Sequence, residues 1–189
     1  MRLIILRHGI RGPVPTFMTS LTSEGLEQVK KLEEKLALIE IDEIYCSPFL
    51  RTVQTIYPYC IKMNKKVNID NGIYECTHNK SFTPENYKGT IKDFEISHNH
   101  LHKIINKDYK SYIKLDEIEC NENFYQIRDR IFNFINYLMD LYKNTNKTVL
   151  LVTHMASCNL IKRYFNEKTE INDHFEMGDF EIINNYAHN

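Results

Sequence analysis

The feature that most constrains this chain is an apolar run that ends abruptly. Leu3-Ile4-Ile5-Leu6 is followed at once by Arg7-His8-Gly9 and, two positions later, by Arg11. Four aliphatic residues in a row, two of them β-branched, predict a strand covered on both faces, the kind found inside a parallel sheet. In open α/β sheets, ligands bind beyond the carboxyl ends of the strands. Arg7, His8 and Arg11 therefore stand where a crevice is expected, and Gly9 suits a sharp exit or a close approach of backbone to ligand. Two guanidinium groups beside an imidazole make a poor core and a good receptor for a dianion such as phosphate. The same residues would also suit a strand that simply meets solvent in a turn, so the rest of the chain has to decide.

The rest of the chain alternates helices and strands. Within residues 21–40, Leu26, Val29, Leu32, Leu36 and Ile39 recur at three- and four-residue steps and predict an amphipathic helix. Thr22 is its expected N-cap, with Glu24 in the first turn and Leu21 and Leu26 as a hydrophobic staple. Residues 41–46 predict a second strand, and Ser47-Pro48 reads as a helix start with Arg51 in its first turn. Residues 66–69 predict a short third strand, and Asn71-Gly72 predicts a turn that leads to Glu75. Residues 121–142 predict a second strong helix, with Phe124, Ile127, Ile131, Phe134, Leu138 and Leu141 as its apolar face. Residues 148–153 predict a strand ending at His154, residues 156–165 a helix, and residues 180–183 an antiparallel edge strand. This alternation predicts a three-layer α/β/α sandwich on a mostly parallel sheet. Residues 76–120 show no sustained period and read as an insertion with short helical pieces lying over the crevice as a lid. Phe82, Tyr87, Phe94, Tyr109 and Tyr112 give it something to pack.

Composition narrows the class. At 189 residues the chain suits a single domain, 1–189, with a real core. A net charge of −1 points away from nucleic acid and from membrane surfaces. No apolar run approaches the roughly 20 residues that span a bilayer. The five cysteines are odd in number and include no Cys-x-x-Cys pair, which argues against a disulfide framework or a zinc ribbon. A reducing, cytoplasmic setting is expected.

Basic groups thus stand at Arg7-His8, Arg51 and His154, each just beyond a predicted strand, with Glu75 after a turn. Parallel strands bring their carboxyl ends to one edge, so these groups can converge. The set resembles the histidine phosphatase, or phosphoglycerate-mutase-like, superfamily. The resemblance is carried by Arg7-His8-Gly9, Leu21-Thr22-x-x-Gly25-x-x-Gln28, Ser47-Pro48-x-x-Arg51-Thr52-x-x-Thr55, Glu75 after Gly72-Ile73-Tyr74, and Val152-Thr153-His154. It implies that His8 is a nucleophile forming a phosphohistidine and that Arg7, Arg51 and His154 clamp the phosphoryl oxygens. Glu75 is implied as the general acid that protonates the leaving oxygen and later activates water. It also implies no metal and no cofactor, and a small phosphorylated substrate or phosphopeptide as the partner. Arg-His-Gly-x-Arg resembles the subgroup of tyrosine-directed and steroid-phosphate phosphatases, in which the residue matching Arg11 also touches phosphate. The acid-phosphatase branch is a poorer match, because Met155 follows His154 where that branch has Asp.

Two departures bear on substrate: Ile10 replaces a common acidic residue, and His154-Met155-Ala156 replaces His-Gly-Gly, so Met155 would narrow the pocket. A phosphoglycerate mutase and an inactive phosphate-binding module remain the alternatives, and the oligomeric state, monomer or homodimer, stays open. The Cys46-to-Arg51 and Cys158-to-Arg163 intervals are one residue too short for a cysteine-dependent tyrosine phosphatase. His98, His100 and His102 would share one face of a strand, but no carboxylate or cysteine completes a metal site there. Should Glu75 not be the acid, Glu85, Asp93 and Glu95 are the candidates within the insertion.

Overall fold

Alternation along the first strand decides the layering of the computed structural model, which describes residues 1–78, 82–94, 97–170 and 173–183. In β1 (Arg2–Arg7), Ile4 and Leu6 enter one core while Leu3 and Ile5 enter the other, and all four are buried. The first core is closed by α1 (Ser23–Leu36) and α2 (Leu50–Met63), the second by α3 (Phe124–Leu141) and α4 (Met155–Phe165). The expected α/β/α sandwich is thus present.

The remaining strands are β2 (Glu43–Cys46), β3 (Asn68–Ile69), β4 (Thr148–Thr153) and β5 (Phe180–Ile183). Their order is β3-β2-β4-β1-β5, parallel throughout except for β5, which runs antiparallel to β1. Register does the rest. Arg7 pairs with Thr153 and Cys46 with Val152, so β2, β4 and β1 end side by side. His8, His154 and Ser47, each the residue after its strand, must then be neighbours on one edge.

Local chemistry explains where the elements differ from expectation. Thr22 caps α1, its side chain accepting from the Gly25 N–H, but the helix stops at Leu36, short of residue 40. Leu26 does not staple it, being 44% exposed, while Gly25 turns inward. Phe124 and Leu141, placed on the apolar face of α3, are also exposed at the two helix ends. Asn123 closes α3 with a full capping box against Gln126. The largest correction concerns Ser47-Pro48. The chain stays extended to Phe49 and α2 begins at Leu50, because the Ser47 N–H still bonds the Val152 carbonyl and Phe49 is driven into the core. Thr52 then ties its hydroxyl to the Ser47 and Phe49 carbonyls.

Residues 76–120 contain short 3-10 turns at Ile91–Phe94, Asn99–Ile104 and Leu115–Glu117. Much of this stretch covers the first core: Phe82, Leu101, Ile104, Ile105 and Ile118 are buried there. Tyr87 packs against the same core, Tyr109 packs against the second, and Tyr112 is exposed. The side chain of Phe94, and Glu95 entirely, lie outside the described residues. No described helix is long and apolar enough to cross a membrane.

Gly25 is where α1 meets the loop after β1. A Cβ there would stand 2.0 Å from the Ile10 carbonyl oxygen, so only glycine allows the approach that lets Thr22 N–H bond that carbonyl. Gly25→Ala should therefore destabilise the chain by about 1–3 kcal/mol, the usual range for overpacking. Gly12→Ala would meet nothing nearer than Thr19 Cγ2 at 3.5 Å and should change stability little. Urea unfolding of both variants checks the contrast.

Candidate active site

His8 is 2% exposed, at the end of β1. Its Nδ1 lies 2.8 Å from the Gly9 carbonyl oxygen. A carbonyl can only accept, so Nδ1 carries the hydrogen and Nε2 keeps a free lone pair. Burial pushes the imidazole well below its ordinary pKa, and His154 and Arg51 push the same way. The ring is neutral at physiological pH. The Gly9 N–H is fixed in turn by Thr55 Oγ1 at 2.9 Å, and that hydroxyl donates to the Arg51 carbonyl at 2.7 Å.

Arg51 lies fully buried in the first turn of α2. Its Nη1 donates to the Thr16 carbonyl at 2.8 Å and its Nη2 to Glu75 Oε2 at 3.0 Å. The guanidinium lies over the Phe49 ring, 4.5 Å from its centroid. Burial lowers its pKa to about 10, which leaves it charged at neutral pH.

His154, also fully buried, begins where β4 ends, and its ring centroid is 5.4 Å from that of His8. Its Nδ1 is 3.1 Å from Glu75 Oε2, the oxygen that Arg51 also holds. Its Nε2 meets the Ser47 hydroxyl at 2.9 Å. Arg51 Nη2 also lies 3.2 Å from Nδ1. The carboxylate is the nearer partner, and in the tautomer that carries Nδ1–H towards it, Nε2 accepts from Ser47. Burial lowers this pKa to about 4, against the raising pull of Glu75.

Glu75 retains 17% exposure of its side chain, and its Oε1 accepts from the Cys76 N–H at 3.0 Å. Burial alone would raise this carboxyl. His154, Arg51 and His8 together outweigh it and hold the group below the usual carboxylate range, so it is an anion in this state.

Arg51, Glu75, His154 and His8 are thus brought together, while Arg7 and Arg11 bond backbone carbonyls of the surrounding loops. Arg7 donates from Nη1 to the Phe175 carbonyl, and Arg11 donates from Nη1 to the Gly12 and Pro13 carbonyls. The Nε atoms of Arg7, Arg11 and Arg51 are buried with no partner. Buried donors are almost always paired. Burial lowers the pKa of all three guanidinium groups, and Glu75, within electrostatic reach of each, pulls it back up. Three cations around one carboxylate make a setting that favours an anion.

A ring nitrogen of each histidine and a carboxylate oxygen of Glu75 lie within 4.8 Å of one another, close enough to hold a metal ion. Arg51 already occupies the carboxylate, and a cation set among arginines would be repelled, so the donor set suits an anion better. His98, His100 and His102 sit on a 3-10 turn instead of a strand, with His100 edge-on to Tyr57, and among the described residues they form no such group.

The fold gives three residues already noted in the sequence roles that the sequence did not show. Ser47, read as a helix start, instead holds His154. Gln28 accepts from Ile10 N–H and donates to the Met177 carbonyl, clipping the loop after β1 to residues 175–179. Met155 packs partly against the second core.

The family model of the histidine phosphatase superfamily (branch 1) matches residues 3–182. No curated protein matches the chain. Solved structures do resemble it. The ecdysone phosphate phosphatase of Bombix mori, in complex with tungstate, superposes with a TM-score of 0.74 at 16% identity, covering 97% of this chain and 89% of that one. The alpha-ribazole phosphatase of Shigella flexneri gives 0.66 at 20% identity, covering 97% and 90%. The phosphoserine phosphatase of Entamoeba histolytica, in complex with 3-phosphoglyceric acid, gives 0.64 at 18% identity, covering 96% and 89%.

The two neutral histidines make stability fall in acid. The unfolded chain takes up a proton on each near pH 6.5, whereas folded His154 does so only near 4 and folded His8 well below its ordinary value. Unfolding therefore binds protons in this window, and stability drops as pH falls through it. Glu75, lowered in the folded state, extends the loss below its unfolded value of 4.5. His154→Gln removes one of the two imidazoles, so its urea stability should fall less than the native chain's between neutral pH and about pH 4.5. An equal fall would mean that His154 titrates alike in the folded and unfolded chain.

Proposed function

Because the chain belongs to the histidine phosphatase superfamily, we propose that it hydrolyses phosphomonoesters through a covalent phosphohistidine on His8. The observation that carries the reading is a buried, neutral His8 imidazole beside His154, with Arg51 and His154 on one Glu75 oxygen and Arg7 and Arg11 within electrostatic reach of the same carboxylate.

Nε2 of His8 attacks phosphorus in line with the departing oxygen. The N–P bond forms as the P–O bond breaks. Arg7, Arg11, Arg51 and His154 Nδ1–H offset the charge on the phosphoryl oxygens. Glu75 supplies the proton to the leaving oxygen, then takes one from the water that attacks the phosphohistidine, releasing phosphate and restoring His8.

In the empty site Glu75 is ionised because it borrows the phosphate's partners. An arriving phosphate dianion displaces it from Arg51 and His154 and sets a like charge beside it. Both changes raise its pKa and favour the protonated form that an acid needs.

The similar structures are named for phosphatases of ecdysone phosphate, alpha-ribazole phosphate and phosphoserine, whose leaving groups differ widely. Our reading for this chain keeps their common element, a phosphomonoester on a small molecule or peptide. Within residues 76–120, the stretch we read as a lid, Gly89 packs on Phe17, and the Tyr74 hydroxyl donates to the Tyr87 carbonyl, which makes described residues 82–94 our candidates for the wall of the leaving-group side.

Purified protein should release phosphate from phosphomonoesters in the presence of EDTA, with vanadate competing against substrate. Arg51→Ala should weaken vanadate more than it weakens substrate, since the guanidinium matches the transition state. Activity that disappears with EDTA and returns with magnesium would contradict the reading.

A further inference from the structure

Glu75 stands on a stretch without helix or strand. β3 ends at Ile69, a 3-10 turn occupies Asn71–Ile73, and irregular chain follows. No ladder of backbone hydrogen bonds sets the direction of this carboxylate. Its backbone is held by Thr153 Oγ1, which donates to the Ile73 carbonyl at 2.8 Å, by Ser157 Oγ, which donates to the Tyr74 carbonyl at 3.3 Å, and by a buried ion pair outside the phosphate site.

Arg130, on α3, and Glu122, before it, are 5% and 3% exposed. Arg130 Nε and Nη2 donate to the two oxygens of Glu122 at 2.8 and 2.6 Å, a bidentate fork. That pairing leaves Nη1 aimed at three carbonyls, those of Asn71, Gly72 and Tyr74, at 3.3, 3.2 and 3.2 Å. The Tyr74 carbonyl belongs to the peptide that enters Glu75. On the far side, Thr77 Oγ1 accepts from the Glu122 N–H at 3.1 Å and donates to the Glu119 carbonyl at 2.8 Å. The stretch carrying Glu75 thus meets the Arg130 guanidinium on one side and the backbone of Glu119 and Glu122 on the other. Gly72 permits this closeness, since a Cβ there would come within 2.5 Å of Phe134, also on α3.

We propose that Arg130, locked by Glu122, is the positioning residue for Glu75, a reading that rests on Glu75 being the general acid. Arg130 is held by Glu122 and bonds backbone carbonyls, so it acts through Glu75 and does not touch the substrate. Only a planar fork serves here. One edge must neutralise the carboxylate while the free nitrogen gathers carbonyls on a converging path, which a lysine ammonium on its single nitrogen would not do.

The test is the dependence on leaving group. An alkoxide needs the proton that Glu75 provides, and a nitrophenolate leaves without it. Single-turnover phosphorylation of the enzyme is measured with an alkyl phosphate and with p-nitrophenyl phosphate. Glu75→Gln should slow the alkyl reaction by about 10²–10⁴-fold and the nitrophenyl reaction far less. Arg130→Met should show the same selectivity, with an alkyl loss of about 10²-fold from misplacement of the acid. Added to Glu75→Gln, it should cost nothing further. Removing one partner of a buried pair can unfold a chain. Arg130→Lys keeps the charge beside Glu122 and loses the fork, so it should give the selective loss in a protein of native near-UV circular dichroism. Proportional losses on both substrates in folded protein, or additive losses in the Glu75→Gln background, would make Arg130 structural only and overturn the proposal. A Glu75→Gln variant indifferent to leaving group would instead remove the acid assignment, and the positioning role with it.

Discussion

Arg51 keeps a full positive charge with none of its side chain open to solvent. A buried ion stripped of its partners costs several kcal/mol even after relaxation, so each partner is a structural requirement. The Thr16 carbonyl draws the loop after β1 down onto α2. The Glu75 carboxylate draws in the stretch after β3. The Phe49 ring lies beneath the guanidinium and in turn packs against Phe17, Tyr74, Phe82 and His154. The loop and the aromatic floor of the site are therefore placed by one cation, which also holds the carboxylate of Glu75.

The same charge explains why the site is poised. Arg51 and His154 both meet a single oxygen of the Glu75 carboxylate, the place we assign to a phosphoryl oxygen. Ser47 holds the far side of His154, so Nδ1–H stays directed inward. Burial keeps both imidazoles neutral, which suits one to attack and the other to donate a hydrogen bond. In the mechanism we propose, one carboxylate moves aside and a dianion takes its place on partners already in position.

Most of this was legible in the sequence because it is tied to strand ends. Leu3 to Leu6 and residues 148–153 are dense apolar runs, and the basic residues that follow them could only fall on one sheet edge. Parallel register then makes His8 and His154 neighbours. Ser47-Pro48 misled because the helix-start signal is local, whereas burial of Phe49 keeps the chain extended for longer. Leu26, Phe124 and Leu141 fit the helical period yet lie at edges the core does not reach. Glu75 had no strand to fix it, and the pair we assign to that task, Glu122 and Arg130, reads in sequence as two surface charges on a helix and its approach. Only the fold brings them under the Asn71–Ile73 turn.

The central claim is that His8 accepts the phosphoryl group. The enzyme, mixed with excess radiolabelled phosphomonoester and quenched in alkaline denaturant within one turnover, reports this directly. The account predicts label on His8, released by acid and stable to base, and no label on His8→Ala. A native enzyme that hydrolyses substrate without acquiring label, alongside a His8→Ala variant that still turns over, would contradict it.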